Sequence, residues 1–148
     1  MATREVMAIG RLAEASGCKV PTIRYYERIG LMPEPARTTG NQRVYEQRHL
    51  DRLVFIRHAR DLGFTLDAIR ELLRLSAHPE EPCDGADEIA RRHLESVRDR
   101  IARLRSLETE LERMVAHCAG GPVAQCRVIE TLADHGKCLS DTHAAGDT

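Results

Sequence analysis

The chain has 148 residues, 42% hydrophobic and 30% charged, with a mean hydropathy of −0.40. Three Tyr, two Phe and no Trp leave a core of Leu, Ile, Val and Ala, which suits packed helices better than a β-sandwich. No apolar run approaches the roughly 18 residues of a membrane span, and the opening MATREVMAIG lacks the apolar stretch of a secretory signal, so the expectation is a cytoplasmic protein with no membrane partner. The net charge of −1 conceals an asymmetry. Residues 1–63 hold 11 Lys and Arg against 7 Asp and Glu, and residues 64–148 hold 11 against 16. A basic first part joined to an acidic remainder suits a nucleic-acid module with a second function attached.

In chain order, Ile9, Leu12 and Ala13 repeat at helical spacing, and Ser16-Gly17-Cys18 interrupts them. Pro21 fits the first turn of a second helix that runs to Arg28 and ends near Gly30. Two short helices across a Gly-containing turn read as a helix-turn-helix. Residues 33–44, with a Gly40-Asn41 turn, read as a two-stranded wing. Helical period returns from Glu46 to Leu62, stops at Gly63, and resumes from Leu66 to Leu75 behind a Thr65 cap. The loop 76–85 has two prolines and holds Cys83. Then Ala90, Leu94, Val97, Ile101, Leu104, Glu108, Leu111 and Val115 alternate at spacings of 4 and 3. A helix so long in so small a chain cannot bury this seam against its own domain. A coiled-coil partner, most simply a second copy, is the economical answer, and folding back on the chain's own helices is the alternative. Val128, Ile129, Leu132 and Ala133 offer a short helix, and the Gly-, Asp- and His-containing tail from 134 is expected to fray. The expected architecture is mainly α: a winged helix-turn-helix domain (1–75), a hinge loop (76–85), a dimerisation helix (86–117), a metal-binding loop and short helix (118–133), and a flexible tail (134–148).

On the second helix, Thr22 and Arg24 are candidates to meet DNA, with Tyr25 and Tyr26 behind them. Arginine's forked donors read guanine edges or clamp phosphates. Arg37 and Arg43 bracket the wing turn at Asn41 and can reach flanking phosphates, and the Tyr45 hydroxyl can donate to a phosphate. A solvated surface charge is the plainer reading of any single Arg, and core packing is the plainer reading of one of the two adjacent tyrosines. The order helix, turn, helix, Arg-bearing wing, helix is what favours DNA.

Five cysteines are an odd number, and a chain without a secretory signal has no need of a disulfide framework. Cys118 and Cys126 bracket an uncharged loop that contains Gly120-Gly121-Pro122. Thiolates are soft donors that select zinc, copper(I) and heavier soft ions. A separation of eight positions has no stereochemical uniqueness, so two inert thiols compete with a metal site. His117 can add a ligand or simply interact with the helix C-terminus, and Cys138, near His135, can add another or lie idle in the tail. Cys18 reads as a small packing residue.

The stretch from Ile9 through TIRYYE (22–27), GNQRVY (40–45) and RHARDLGFTLDAIRELL (57–73) resembles the winged helix-turn-helix domain of the MerR family of transcription regulators. The similarity is dense over residues 8–75, and the long helix and thiol loop extend it to about residue 133, into the metal-sensing branch. The resemblance implies a homodimer joined by antiparallel helices. It implies binding to a palindrome in double-stranded promoter DNA, and activation of RNA polymerase there by distortion of an over-long spacer. Within one chain Cys83 and Cys118 are about 45–50 Å apart at 1.5 Å per helical residue. In an antiparallel pair, Cys83 of one chain approaches Cys118 and Cys126 of the other, and a three-thiolate site explains all three positions.

The position matching Cys83 is Cys in the family's sensors of divalent ions and typically Ser in its copper(I) sensors. The loop spacing and the C-x-V-I-E-x-L pattern from Cys126 instead resemble the copper sensors. The family's zinc sensors add a second Cys beside the first loop thiol and a His within the loop, where this chain has Ala119 and no His. Three thiolates around a divalent ion leave a net −1, easier to bury than the −2 left around copper(I). Trigonal sulfur suits mercury, lead or cadmium, whereas zinc wants a fourth ligand. The reading is therefore a regulator responsive to zinc, cadmium, lead or mercury, with copper(I) as the alternative. A second alternative is a redox switch through a Cys118–Cys126 disulfide, although the four-Cys cluster of the family's iron–sulfur sensors is missing. A thiol enzyme built on Cys118 and His117 lacks any oxyanion-hole or phosphate-loop motif, so no enzymatic activity is expected.

Overall fold

The computed structural model describes residues 6–118 and 120–139, in two compact units divided after Ile89. The end of the expected tail, 140–148, and Ala119 lie outside the described residues.

In the first unit, α1 (Ile9–Ser16) turns its Leu12 and Ser16 inward and ends at Gly17, whose φ of 70° is left-handed. Glycine is favoured there by conformation and by space, because a Cβ on Gly17 would come within 1.7 Å of the Arg57 guanidinium. Helix α2 (Val20–Arg28) carries Pro21 in its first turn, where a missing N–H costs nothing. It buries Ile23 and Tyr26, and its end is closed by the Leu31 and Met32 amides, both donating to the Tyr26 carbonyl.

The wing follows. Strands β1 (Ala36–Arg37) and β2 (Arg43–Val44) pair antiparallel, with Arg37 opposite Arg43. Asn41 makes the turn at φ 62°, a conformation that Asn tolerates better than most residues. An isolated bridge between Met7 and Tyr45 ties the segment before α1 to the end of the wing.

Helix α3 (Gln47–Asp61) starts on a reciprocal cap: the Glu46 side chain takes the His49 amide, and His49 Nδ1 accepts the Glu46 amide at 2.9 Å. Helix α4 (Leu66–Ser76) starts on the expected Thr65 cap, whose Oγ1 accepts the Ala68 amide. Leu12, Ile23, Leu31, Met32, Tyr45, Leu53, Ile56 and Ile69 form one fully buried cluster. Three arginines tie the helix ends together from across the fold. Arg52 donates to the Leu31 carbonyl, Arg57 to Ser16 and Arg70 to Ile29, each satisfying a carbonyl at or just beyond a helix C-terminus.

Helix α5 (Asp84–Ala116) begins in the first unit and supplies the frame of the second. Its seam residues stand in the open: Leu94, Val97, Ile101, Leu104, Leu107, Leu111 and Val115 are all exposed, Leu104 by 58%. Ile101, Leu104, Leu107, Leu111 and Val115 line a shallow apolar groove. Burying one such side chain is worth roughly 1.5–3 kcal/mol, so a contiguous row left wet marks a contact surface.

In the second unit, α5 is followed by a 3-10 turn at Val123–Gln125 and then by α6 (Arg127–Ala133). The first residues of the expected tail, 134–139, are described. His135–Lys137 form another 3-10 turn, capped by the Asp134 side chain on the Gly136 amide.

Candidate DNA interface and metal centre

The DNA-facing candidates lie on α2 and the wing. Arg24 is exposed and Thr22 half-buried on α2. The two tyrosines divide as periodicity requires. Tyr26 is in the core, whereas Tyr25 is 41% exposed with the Arg28 guanidinium 5.8 Å from its ring centre. On the wing, Arg37 is pre-aimed by its own turn, its Nη1 donating to the Asn41 carbonyl and Oδ1 at 3.1 and 3.2 Å.

Tyr45 departs from its expected place. It is 0% exposed, and its hydroxyl donates to Glu27 Oε1 at 2.5 Å instead of facing solvent. Burial, then the Glu27 hydrogen bond, push this hydroxyl far above the usual phenol range. Glu27 also lies 3.8 Å from Arg43 Nε, so one carboxylate on α2 holds both a core tyrosine and a wing arginine. Sequence reasoning overlooked Glu27 because an acid beside Tyr26 reads as a solvated charge. The available signal was its place three residues after Arg24, on the same face of α2.

The thiols are all free. Cys83 is exposed in the turn immediately before α5, and its carbonyl accepts the Asp87 amide. Cys118 is exposed where α5 ends, and its amide donates to the Val115 carbonyl. Cys126 is half-buried at the N-terminus of α6, its carbonyl accepting the Glu130 amide. Gly120 (φ 72°) and Gly121 (φ 110°) let the intervening loop reverse direction. His117 Nδ1 sits 2.7 Å from the Arg113 carbonyl, one turn back on α5. A carbonyl can only accept, so Nδ1 is the donor in this contact. Cys138 is half-buried and its amide donates to the His135 carbonyl.

Among the described residues of one chain, no group of three or more His, Cys, Asp or Glu converges closely enough to hold a metal ion. The donor set of the loop suits a soft ion in kind, with two thiols and no hard carboxylate between them. A third donor has to be brought from elsewhere.

Around the loop the second unit is tied by charge. Glu110, only 2% exposed on α5, pairs with Arg113 at 2.6 Å and accepts the Leu139 amide at 2.8 Å. Arg113 Nη2 also donates to the Lys137 carbonyl. Glu130 on α6 is bound by Lys137 and by Arg127, and these two cations hold its carboxyl below the usual range.

A wing beside a short helix pair with an exposed arginine defines a winged helix-turn-helix DNA-binding regulator, here joined to a helix bracketed by thiols. The model for the MerR HTH family regulatory protein matches residues 7–76, and that for "MerR, DNA binding" matches 50–114. The chain belongs to the MerR family of helix-turn-helix transcription regulators, in its metal-sensing branch, and these are not enzymes. It is 41% identical to the regulator ZntR of Escherichia coli (strain K12) over 127 residues, covering 84% of this chain and 90% of that one. It is 38% identical to the mercuric resistance operon regulatory protein of Bacillus cereus over 125 residues, 84% of this chain and 95% of that one. Among solved structures, PbrR691 from Ralstonia metallidurans CH34 in complex with lead(II) superposes with a TM-score of 0.75 at 41% identity, over 85% of this chain and 98% of that one. No described helix is long and apolar enough to cross a membrane.

Proposed function

We propose that this protein is a homodimeric, metal-responsive regulator of a promoter. It binds a palindromic operator in double-stranded DNA and activates transcription when a soft divalent ion (zinc, cadmium, lead or mercury) binds. The observation that carries this reading is that free thiols lie just outside both ends of one helix whose apolar seam is exposed. Pairing two such helices antiparallel buries the seam and brings Cys83 of the partner subunit to Cys118 and Cys126. The relatives named for zinc, mercury and lead support the ion class.

At the DNA, Arg24 and Thr22 on α2, with Tyr25, meet base edges and phosphates, and Arg37, Asn41 and Arg43 on the wing meet flanking phosphates. Tyr26 and Tyr45 support this surface from the core. The bound ion supplies a point where three thiolates converge. Cys118 and Cys126 close the loop, with His117 Nε2 and Cys138 in reserve as further ligands, and α6 is drawn onto the dimer helix. Closure shifts the population between two dimer states that differ in the angle between their DNA-binding domains. The distorted spacer then offers both promoter elements to RNA polymerase.

The decisive experiment is titration of the fully reduced protein with cadmium, lead and mercury, counting bound ions per chain and recording thiolate-to-metal absorption. One ion per chain, lost in Cys83→Ser while operator binding persists, supports the intersubunit site. Tight copper(I) binding unaffected by Cys83→Ser, as the eight-residue loop spacing suggests for the alternative, moves the chain to the copper group. A response to oxidant without metal points instead to the Cys118–Cys126 disulfide. Arg24→Ala should cost about 1–3 kcal/mol of operator affinity, and near-normal affinity sinks the α2 assignment.

A further inference from the structure

We propose that Glu110 and Arg113 are positioning residues for the thiol loop: they clamp the segment after α6 onto α5 and thereby set where Cys126 sits. This rests on the metal-binding reading of Cys118 and Cys126 and names what prepares that site.

Cys118 needs no further anchor, because it follows directly on α5. Cys126 lies across a loop with two left-handed glycines, at the end of a 3-10 turn closed locally by the Gln125 and Cys126 amides on the Pro122 and Val123 carbonyls. The tie from there to α5 comes from beyond α6. Glu110 accepts the Leu139 amide, and Arg113 donates to the Lys137 carbonyl, so the backbone is held on both sides of Cys138. Lys137 turns its ammonium to Glu130, which also takes Arg127 in the first turn of α6. Cys126 immediately precedes that turn, and its carbonyl accepts the Glu130 amide. A continuous set of bonds thus runs from the last two turns of α5 to Cys126 without touching any thiol.

Glu110 is the centre of the clamp. A carboxylate 2% exposed is held in place by charge-assisted bonds that include one to a guanidinium and one to a main-chain amide. The clamp is also incompletely satisfied. Among the described residues, the buried side-chain polar atoms without a hydrogen-bond partner are Arg113 Nε and Thr131 Oγ1, both in this unit.

With both ends held, closing the loop on an ion forfeits less conformational freedom than closing a loop with one loose end. The clamp therefore acts on affinity while contributing no ligand. Changes to residues that orient metal ligands typically cost about 10–100-fold in affinity.

The test measures cadmium affinity of the reduced full-length protein by competition with a chelator, in Glu110→Gln, Leu139→Pro and Cys138→Ser. Leu139→Pro removes only the amide that Glu110 accepts, from a residue whose side chain is 63% exposed, so it serves if the buried substitution compromises folding. Expected are a loss of about tenfold or more in Glu110→Gln and Leu139→Pro, and no further loss when the two are combined. Metal count, thiolate absorption and operator affinity should match the wild type, while the metal-free unfolding midpoint falls modestly in Glu110→Gln, which deprives the Arg113 guanidinium of a buried carboxylate. Cys138→Ser separates positioning from ligation, because it removes a thiol and leaves both main-chain bonds of the clamp in place. The inference is overturned if both clamp variants bind cadmium normally, if their metal-free dimers lose operator affinity in parallel, or if Cys138→Ser is as weak as they are, which would make Cys138 a ligand. A wild type that binds no cadmium removes the functional reading and this inference with it. Wild-type binding with unchanged clamp variants removes the clamp alone.

Discussion

Glu27 is the residue on which the DNA-facing surface turns. Its side chain is 10% exposed and is shared between the Tyr45 hydroxyl and Arg43. Tyr45→Phe leaves that carboxylate with Arg43 at 3.8 Å and without its close donor, and should cost about 1–3 kcal/mol in denaturant unfolding. An unchanged midpoint would mean that water replaces the hydroxyl at no cost. His49 offers a pH test. Its Nδ1 accepts the Glu46 amide, which only the neutral ring can do. Burial, then Arg48, lower its pKa below the ordinary 6.5. The unfolded chain therefore takes up the proton first, so the stability His49 contributes is complete above pH 6.5 and is lost as pH falls through the folded-state value. Thermal melts should decline from pH 6.5 downward, and His49→Gln, which keeps an acceptor at the same helix position, should flatten that decline. A sequence names such residues without saying which way they face. Tyr45 and Tyr26 were legible as aromatics near DNA, but their burial depends on contacts with residues 18 or more positions away or on other helices.

At the scale of elements, the helices were the most legible part of the chain. The Thr65 cap, Pro21 in a first turn and Gly17 after a last one are local signals, and α1 to α4 begin and end within a residue or two of them. The turn at 135–137 was only half legible: its Asp134 cap is local, but Glu110 and Arg113 reach its far end across more than twenty residues. Composition reports only that a Gly- and His-bearing segment has little apolar surface to bury. Helix α5 was legible in its period, and its open seam gives that period a consequence. Leu104→Glu sets a charge in the middle of the exposed row and should turn the protein into a monomer by sedimentation or light scattering, with the DNA-binding domain still folded. A dimer that persists in this variant would move the contact surface off the seam.

For the whole molecule, the balance of basic and acidic residues pointed to nucleic acid before any fold was known, yet the fold spends part of that charge on itself. Of the 11 basic residues before position 64, Arg52, Arg57 and Arg60 donate to main-chain carbonyls of Leu31, Ser16 and Phe64. These guanidiniums keep their charge, but each is anchored to the protein's own backbone, which restricts its reach toward a duplex phosphate. Each phosphate neutralised adds about 0.9 to the slope of log affinity against log salt. The measured slope should accordingly fall short of the raw count by several units for a dimer, and Arg57→Gln should lower the melting temperature while leaving the slope as it was. A DNA-binding regulator built this way is expected to respond to ionic strength less than its formal charge suggests.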